Sequence, residues 1–405
     1  MVGTFTARAV FLLCAISSTA AAFELKRDST GAPVSWHQAA TWVMDPAAAQ
    51  LLGDPQALEA AEAAVRTYAQ ADPAVSVALR AGPTTGVGYN LVGPNQSEIV
   101  VVQDDWPYDS FAIAVTVVTV DLRQHRILDA DIALNARSRR FKALPAEANG
   151  GDFDDLQNTL THELGHALGL AHNPTDQTAT MFPAARRGEI HKRSLAEDDV
   201  AGLEALYPPD GGGDGAEEVP QAGCAAGPGG PLVLGVALAM AAALRRRSPR
   251  RASAIAAALA LCALPAMARA QEMDRRERRV ASAAVVMETE VASSRTRVES
   301  GGRFVTRLQL RAHACARGPC PDALQVDVPG GRIGDLEQWV DGKLPPAVGS
   351  EVGVAAEELP AGGAALRPRQ ASLYQLGEPG ERAAFDRAIR SAGLRLQKIR
   401  AAARP

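Results

Sequence analysis

The chain has 405 residues, of which 47% are hydrophobic and 22% charged, so it is long enough for two or three domains and too apolar for a disordered protein. The net charge of −4 is unevenly distributed, because residues 23–210 carry 14 Lys and Arg against 26 Asp and Glu (−12), whereas residues 271–405 carry 21 against 17 (+4). The acidic first half argues against nucleic acid as a partner, since phosphate binding needs a cationic surface.

The N-terminus has the features of a secretory signal peptide. Arg8 precedes an apolar run over residues 9–16, and Ala20-x-Ala22 supplies the small residues of a cleavage site. The run is too short for a membrane anchor. We therefore expect residues 1–22 to be removed and the protein to be exported to the cell surface or the medium.

Residues 23–207 alternate between strand and helix patterns. Apolar residues at helical spacing predict three helices, over residues 57–71, 154–170 and 195–206. Runs rich in Val and Ile predict strands over residues 75–79, 98–103, 111–121 and 127–134, and a first strand is expected to begin at Val34. The expected fold class of this segment is α+β.

The second predicted helix carries a group of metal-binding residue types. His162 and His166 are four residues apart and project from one helix face, and Glu163 lies beside them. Gly169 allows a sharp turn that brings His172 round as a third ligand. Three protein ligands leave a fourth position for water, which is typical of a catalytic zinc site. The alternative is three histidines that only pack in the core.

The spacing HExxHxxGxxH resembles the zinc motif of metzincin metalloproteases at every fixed position. The sequence Thr-Met181-Phe-Pro183 resembles the methionine turn of the matrixin group, and residues 195–207, with Asp198 and Asp199, resemble its last helix. Residues 127–132 resemble the strand before the zinc helix. The resemblance covers about residues 30–207 and implies a twisted mixed sheet with three helices.

The resemblance also implies a mechanism. One catalytic Zn²⁺ would activate water, Glu163 would act as general base, and a peptide or protein substrate would lie antiparallel beside the strand over residues 111–121. Asp198 and Asp199 would brace the methionine turn and could receive the ammonium group of Phe23. They could equally be ordinary acids of a first helical turn.

Two family features are unsupported by the sequence. No cysteine lies between Phe23 and Val34, so a propeptide cysteine cannot restrain the zinc, and activity would be limited by export, by metal loading or by something outside the sequence. Calcium sites are conceivable near four aspartates, although no spacing rule supports them: Asp104, Asp105, Asp129 and Asp131.

A linker and an apolar segment follow the predicted protease. Residues 208–230 are rich in Gly, Pro and acids, and residues 231–247 form an apolar run that ends in Arg245–Arg247. The Gly223–Cys224 pair, the short apolar helix and the arginines resemble the MYXO-CTERM sorting signal of myxobacteria. The resemblance implies a sorting protease, lipidation of Cys224 and display at the membrane. An ordinary transmembrane helix or a buried core helix are the alternatives.

Residues 248–270 have the pattern of a second signal peptide that ends in Ala268-x-Ala270. Two interpretations remain open. The two apolar segments could form a membrane hairpin with both folded parts outside. Alternatively, the chain is a precursor that yields two exported proteins.

Residues 271–405 are expected to form a small, mostly β domain. Strands are predicted over residues 284–291, 304–312, 323–328 and 351–354, a turn at Asp341-Gly342, and a basic terminal helix over 381–403. Cys315 and Cys320 are expected to form a disulfide. This part is a binding module by default, or else a regulator of the protease.

The alternative function for the predicted protease segment is that of a metal-holding surface adhesin without hydrolytic activity.

Overall fold

The structure is a computed structural model that describes residues 23–72, 74–208, 278–359, 365–367, 371–377 and 379–398. We call residues 23–208 the catalytic segment and residues 278–398 the C-terminal segment. The predicted signal peptide, the linker, Cys224 and both apolar segments lie outside the described residues. In the described part of the chain, no helix is both long and apolar enough to span a membrane.

The catalytic segment is built on a mixed sheet. Its strands are β1 (Ala40–Met44), β2 (Val77–Ala81), β3 (Ser97–Val102), β4 (Ala114–Asp121) and β5 (Arg126–Asn135). They lie in the order β2-β1-β3-β5-β4, and all neighbours are parallel except β4, which runs antiparallel to β5. A two-residue pair, β6 (Phe141–Lys142) and β7 (Asp154–Asp155), precedes the zinc-motif helix.

The described residues of this segment form four α-helices: α1 (Ala48–Leu52), α2 (Ala57–Ala71), α3 (Leu156–Ala167) and α4 (Glu197–Leu206). Helices α1, α2 and α3 contact the strands of the sheet. Helix α2 has the predicted bounds, because its alanine-rich buried face repeats at helical spacing. The short helix α1 is an addition to the three that were expected. The core between sheet and helices is continuous, and Trp42, Tyr68 and Leu160 are fully buried within it.

The expected first strand at Val34 is wrong. Residues 25–35 make only isolated bridges, and the first strand begins at Ala40. Asp28 holds a turn there by accepting hydrogen bonds from the backbone N–H groups of Thr30 and Ala32 (2.9 and 3.2 Å). Val34 is nevertheless fully buried, so its hydrophobicity reflects the core and not a strand.

The C-terminal segment is mostly β, as expected. Its strands are β8 (Val285–Val298), β9 (Phe304–Arg317), β10 (Ala323–Pro329), β11 (Gly331–Ile333), β12 (Leu336–Val340), β13 (Glu351–Ala356), β14 (Ala371–Gln375) and β15 (Gln397–Lys398). An antiparallel sheet has the order β10-β9-β8-β13-β14, and β15 pairs with β9. Cys315 and Cys320 form a disulfide between β9 and β10.

The predicted terminal helix over residues 381–403 is too long. Helix α5 (Pro379–Ser391) ends before Gly393, whose φ of +67° favours glycine, and the chain then pairs with β9 at Gln397–Lys398. Helix α5 packs on the sheet through Phe385, which is fully buried against Gly353 of β13.

Strands β11 and β12 were not predicted, and they do not belong to the sheet of their own segment. Strand β12 pairs antiparallel with β4, and β11 pairs with β12, so the sheet of the catalytic segment is extended to seven strands. The two folded parts of the chain therefore share one sheet. The shared edge is the strand along which a peptide substrate was expected to lie.

Candidate active site

Helix α3 positions the zinc motif, and its start is fixed locally. Asp155 is the N-cap, and its side chain accepts a hydrogen bond from the Asn158 N–H (2.8 Å). The helix begins two residues later than predicted because Asp154 and Asp155 form β7. It ends at Ala167, before a glycine in the left-handed region.

Gly169 makes the turn that the motif requires. Its φ is +102°, and a Cβ atom there would lie 2.5 Å from the carbonyl oxygen of Val34. The carbonyl oxygen of Gly169 accepts a hydrogen bond from the Lys26 N–H (2.8 Å). The N-terminal residues of the segment therefore hold the turn in place. Any other residue would be strained in conformation and would collide with backbone. The turn carries the chain back toward α3 and places His172 there.

The three histidines converge. The Nε2 atom of His172 lies 2.9 Å from that of His166 and 3.3 Å from that of His162. Among the described residues, these three are the only group of three or more potential ligands of this kind whose atoms gather within 4.8 Å. The sequence prediction placed them in one site from spacing alone.

The other ring nitrogens fix the tautomers. Nδ1 of His162 lies 2.7 Å from the carbonyl oxygen of Thr180, and Nδ1 of His166 lies 2.9 Å from that of Leu170. A carbonyl only accepts, so each Nδ1 carries the proton and each Nε2 presents a lone pair. Desolvation lowers the pKa of His162 and His166 well below the usual value and that of His172 to about 4, so all three rings are neutral.

This arrangement fits a zinc ion. Two nitrogens bound to a tetrahedral zinc at about 2.0–2.1 Å lie roughly 3.3 Å apart, close to the separations found here. The tautomers of His162 and His166 leave their Nε2 lone pairs available for a cation. The site accordingly can hold Zn²⁺ through His162, His166 and His172.

Glu163 is buried beside the histidines. Its Oε2 atom accepts a hydrogen bond from the Thr116 hydroxyl of β4 (2.6 Å). Burial, and to a smaller extent the negative charge of Asp341, raise the pKa of Glu163 to about 8. Thr116 was not singled out from the sequence, because no local pattern relates it to the zinc motif.

The methionine turn lies beneath the histidines. Met181 is buried, and its sulfur occupies the space where a Cβ of Gly165 would lie. The carboxylate of Asp199 accepts hydrogen bonds from the backbone N–H groups of Thr180 (2.8 Å) and Met181 (3.3 Å). Asp199 thus braces the turn, and it also accepts from the N–H of Ala196 at the start of α4 (2.9 Å).

Asp198 has a different contact. Its Oδ2 atom accepts a hydrogen bond from the side-chain amide of Asn173 (2.6 Å), the residue after the third histidine. Phe23 lies against α4, because a Cβ atom added at Gly202 of that helix would be 3.4 Å from the Cβ of Phe23. The paired aspartates therefore join α4 to Asn173, next to the third histidine, and to the methionine turn.

Two further residues that the sequence did not assign to the site lie beside it. Oδ1 of Asp341, at the end of β12, is 3.8 Å from Nε2 of His166. Lys26 is buried, and its Nζ lies 2.7 Å from where a Cβ of Gly342 would be. Burial lowers the pKa of Lys26 to about 8, while Asp341 and Glu163 oppose that shift. Both residues come from segments far away in sequence.

The suggested calcium ligands do not gather into one group. Asp104 and Asp105 are exposed in the loop after β3, whereas Asp129 and Asp131 are buried on one face of β5. Asp129 accepts a hydrogen bond from the Ser97 hydroxyl (3.0 Å), and Asp131 accepts from the N–H groups of Gly88 and Glu98 (2.7 and 2.8 Å). Each carboxylate of the buried pair therefore has a hydrogen-bond donor within the described chain.

Residues 18–208 match the family model of the matrixins, peptidase family M10. Similar proteins include metalloendoproteinase 5-MMP of Arabidopsis thaliana, 42% identical over 66 residues, which are 16% of this chain and 18% of that protein. Human matrix metalloproteinase-20 is 42% identical over 79 residues, 16% of each chain. Human matrilysin is 43% identical over 47 residues, 12% of this chain and 17% of that protein.

The matched stretches span less than one fifth of the length of these relatives. The family match itself extends over the whole catalytic segment. Residues 18–208 are therefore similar to the matrixins, a family of zinc metalloendopeptidases that use one catalytic zinc ion.

Proposed function

We propose that the catalytic segment is an exported zinc endopeptidase in which His162, His166 and His172 hold the metal and Glu163 is the general base. The observation that carries the proposal is the convergence of three neutral imidazole nitrogens beside a buried carboxylate. The match of this segment to the matrixin model supports the same reaction class.

A zinc ion held by His162, His166 and His172 would lower the pKa of a coordinated water to about 7 and polarise the scissile carbonyl. Glu163 accepts the proton of the attacking water and delivers it to the leaving amine. The Thr116 hydroxyl fixes the carboxylate orientation through the hydrogen bond to Oε2.

The substrate in this proposal is an extended peptide beside β4. An extended chain at a sheet edge forms main-chain hydrogen bonds that do not depend on side chains. Strand β4 is suited to this, because it accepts an antiparallel neighbour along residues 117–121. Asp198, Asp199 and Met181 act as structural supports of the metal site.

Cellular placement is part of the proposal and rests on sequence patterns. Residues 1–22 would direct export, and Cys224 with residues 231–247 would be recognised by a sorting protease and attached to the membrane. The C-terminal segment would be exported through its own signal-like residues 248–270. Any calcium ion would be additional to the zinc.

Hydrolysis of casein by the zinc-loaded chain, its loss on chelation and its return with added zinc test the activity. We expect cleavage that depends on zinc. The Asp341→Ala variant is included because it removes the carboxylate that lies 3.8 Å from Nε2 of His166. If the zinc-loaded chain and this variant both fail to cleave casein and a mixed peptide library, the endopeptidase proposal is wrong and the surface adhesin is favoured.

A further inference from the structure

We propose that the C-terminal segment is an inhibitor of the matrixin domain of its own chain: β12 occupies the peptide-binding edge of β4, and the carboxylate of Asp341 is an inhibitory ligand for the metal held by the three histidines. This inference rests on the proposed function of the histidine site. It assigns a function to a segment whose sequence suggested only a binding module or a regulator.

The pairing of β12 with β4 is continuous and antiparallel. Five residue pairs run from Leu336↔Asp121 to Val340↔Val117. Backbone hydrogen bonds extend the ladder at both ends, from the Leu122 N–H to Asp335 (2.9 Å) and from the Asp341 N–H to Thr116 (2.9 Å). A strand edge has only one set of N–H and C=O groups, so β12 and a peptide substrate compete for the same bonds.

The chain turns back at the metal site. Val340 and Lys343 exchange backbone hydrogen bonds (3.0 and 3.2 Å), and the two residues between them have φ of +51° (Asp341) and +67° (Gly342). Two positive φ values in an Asp-Gly pair are typical of a type I′ turn. A substrate must stay extended past the metal to present its peptide bond. Because β12 folds back at that point, it blocks the site without being a substrate.

Asp341 is the residue at the tip of this turn. Its Oδ1 is 3.8 Å from Nε2 of His166, and its charge acts on Glu163, His172 and Lys26. Carboxylate oxygen is an ordinary zinc ligand. Asp341 is therefore placed to take the position that hydrolysis requires for water, and Lys26 offsets the added negative charge.

Side chains on both faces of β12 anchor the strand that leads into the turn. Trp339 is 2% exposed and packs in the core of the catalytic segment. The amide of Gln338 donates to the Thr119 hydroxyl (3.1 Å), and Glu337 accepts from the Ser29 N–H (3.1 Å). These contacts fix the register that brings Asp341 to the histidines.

Contacts outside β12 also join the C-terminal segment to the catalytic segment. The Tyr89 N–H donates to the Gly302 carbonyl in the turn between β8 and β9 (3.1 Å). Arg279 pairs with Asp109 (3.1 Å) and lies over the ring of Phe111 (4.4 Å). The opposite charge balances of residues 23–210 (−12) and 271–405 (+4) favour the same association.

The test uses the full chain with three substitutions: Asp341→Ala removes the carboxylate, Trp339→Ala loosens β12, and Asp322→Ala is a matched control at an exposed aspartate of the same segment. We expect the first two zinc-loaded variants to cleave a fluorogenic peptide about tenfold or more faster than the parent and the control. The rate per chain should not change on dilution, because the inhibition is intramolecular.

Two measurements do not depend on activity. In the cobalt-loaded chain, visible absorption should change in Asp341→Ala, because a carboxylate ligand is replaced by water, and should be unchanged in Asp322→Ala. Hydrogen exchange of β4 should become faster in Trp339→Ala.

The outcomes separate this inference from the proposed function. If the parent is active and neither variant is faster, or if the cobalt spectrum and β4 exchange are unchanged, the inhibitor assignment is wrong while the protease assignment stands. If the spectra and exchange change as expected but no variant cleaves any peptide, the docking is supported and the endopeptidase proposal fails. A parent whose activity rises on dilution would place the inhibitor in a second copy of the chain and overturn inhibition within one chain.

Discussion

Gly165 of helix α3 lies directly over Met181, and a Cβ atom at Gly165 would be 2.3 Å from the methionine sulfur and 2.8 Å from the Tyr68 hydroxyl. Both neighbours are buried, and the Tyr68 hydroxyl donates to the Thr161 carbonyl (2.7 Å). The absence of a side chain at this variable position of the zinc motif is what allows the methionine turn to approach the helix.

Gly165→Ala is therefore expected to destabilise the protein by about 1–3 kcal/mol and to weaken zinc retention, because Met181 or Tyr68 must move. Melting temperature and zinc content after dialysis measure both effects. Gly377→Ala is the control, since no atom lies within 4 Å of that added Cβ. Equal behaviour of the two variants would contradict the packing argument.

His166→Ala tests the ligand set. It removes one of three proposed ligands, so zinc affinity is expected to fall by at least about 100-fold. Competition with a chromophoric chelator gives the affinity. His191→Ala serves as the control, because His191 lies in the short 3-10 helix at His191–Arg193 and outside the histidine cluster. Stoichiometric zinc binding by His166→Ala at the affinity of the parent would show that the set is wrong.

Glu163→Gln tests the general base. Glutamine keeps the shape and can still bond to the Thr116 hydroxyl, but it cannot accept the proton of water. In the Asp341→Ala background, kcat/KM is expected to fall by roughly 100-fold or more, with zinc content unchanged. Hydrolysis at the rate of the Asp341→Ala chain would exclude the proposed role of Glu163.

Asp129 and Asp131 give a prediction for pH. Burial raises the pKa of Asp129 to about 7 and that of Asp131 well above its usual value. Between the unfolded and folded pKa values the folded state binds more protons, so their contribution to stability is present at low pH and is lost as pH rises through about 7.

The melting temperature should therefore fall less between pH 5 and pH 8 in Asp129→Asn than in the parent. Asparagine keeps an oxygen that can accept the Ser97 hydrogen bond. Addition of calcium should leave the pH dependence of the parent unchanged. A calcium-dependent rise in stability that disappears in Asp129→Asn would instead establish a calcium site at this pair.

The termini of the mature products test the precursor hypothesis. In the precursor hypothesis, cleavage follows Ala22 and Ala270 and processing occurs near Cys224, because two of these positions follow the pattern of signal peptidase sites. The intramolecular inhibition proposed above then acts in the chain before Ala270 is separated from Gln271. Mass spectrometry of the protein from its native host measures this. An intact species with Ala270 joined to Gln271 and no lipid on Cys224 would favour the tethered hairpin.

The sequence by itself determined the features that depend on short-range geometry. The bounds of α2 follow from its own apolar repeat, and the zinc motif places His162, His166 and His172 together through one helical turn and the bend at Gly169. A disulfide between cysteines five residues apart is equally local.

Only the tertiary structure decided what reaches the site from elsewhere. Thr116 contacts Glu163 because β4 packs beside α3, and Asp341 reaches His166 because β12 joins the edge of β4. The residues of β12 have an ordinary strand pattern with a turn after it, and that pattern does not specify which sheet they join. Strand pairing between distant segments depends on the packing of both folded parts, so no spacing within the sequence could reveal that the peptide-binding edge is already occupied.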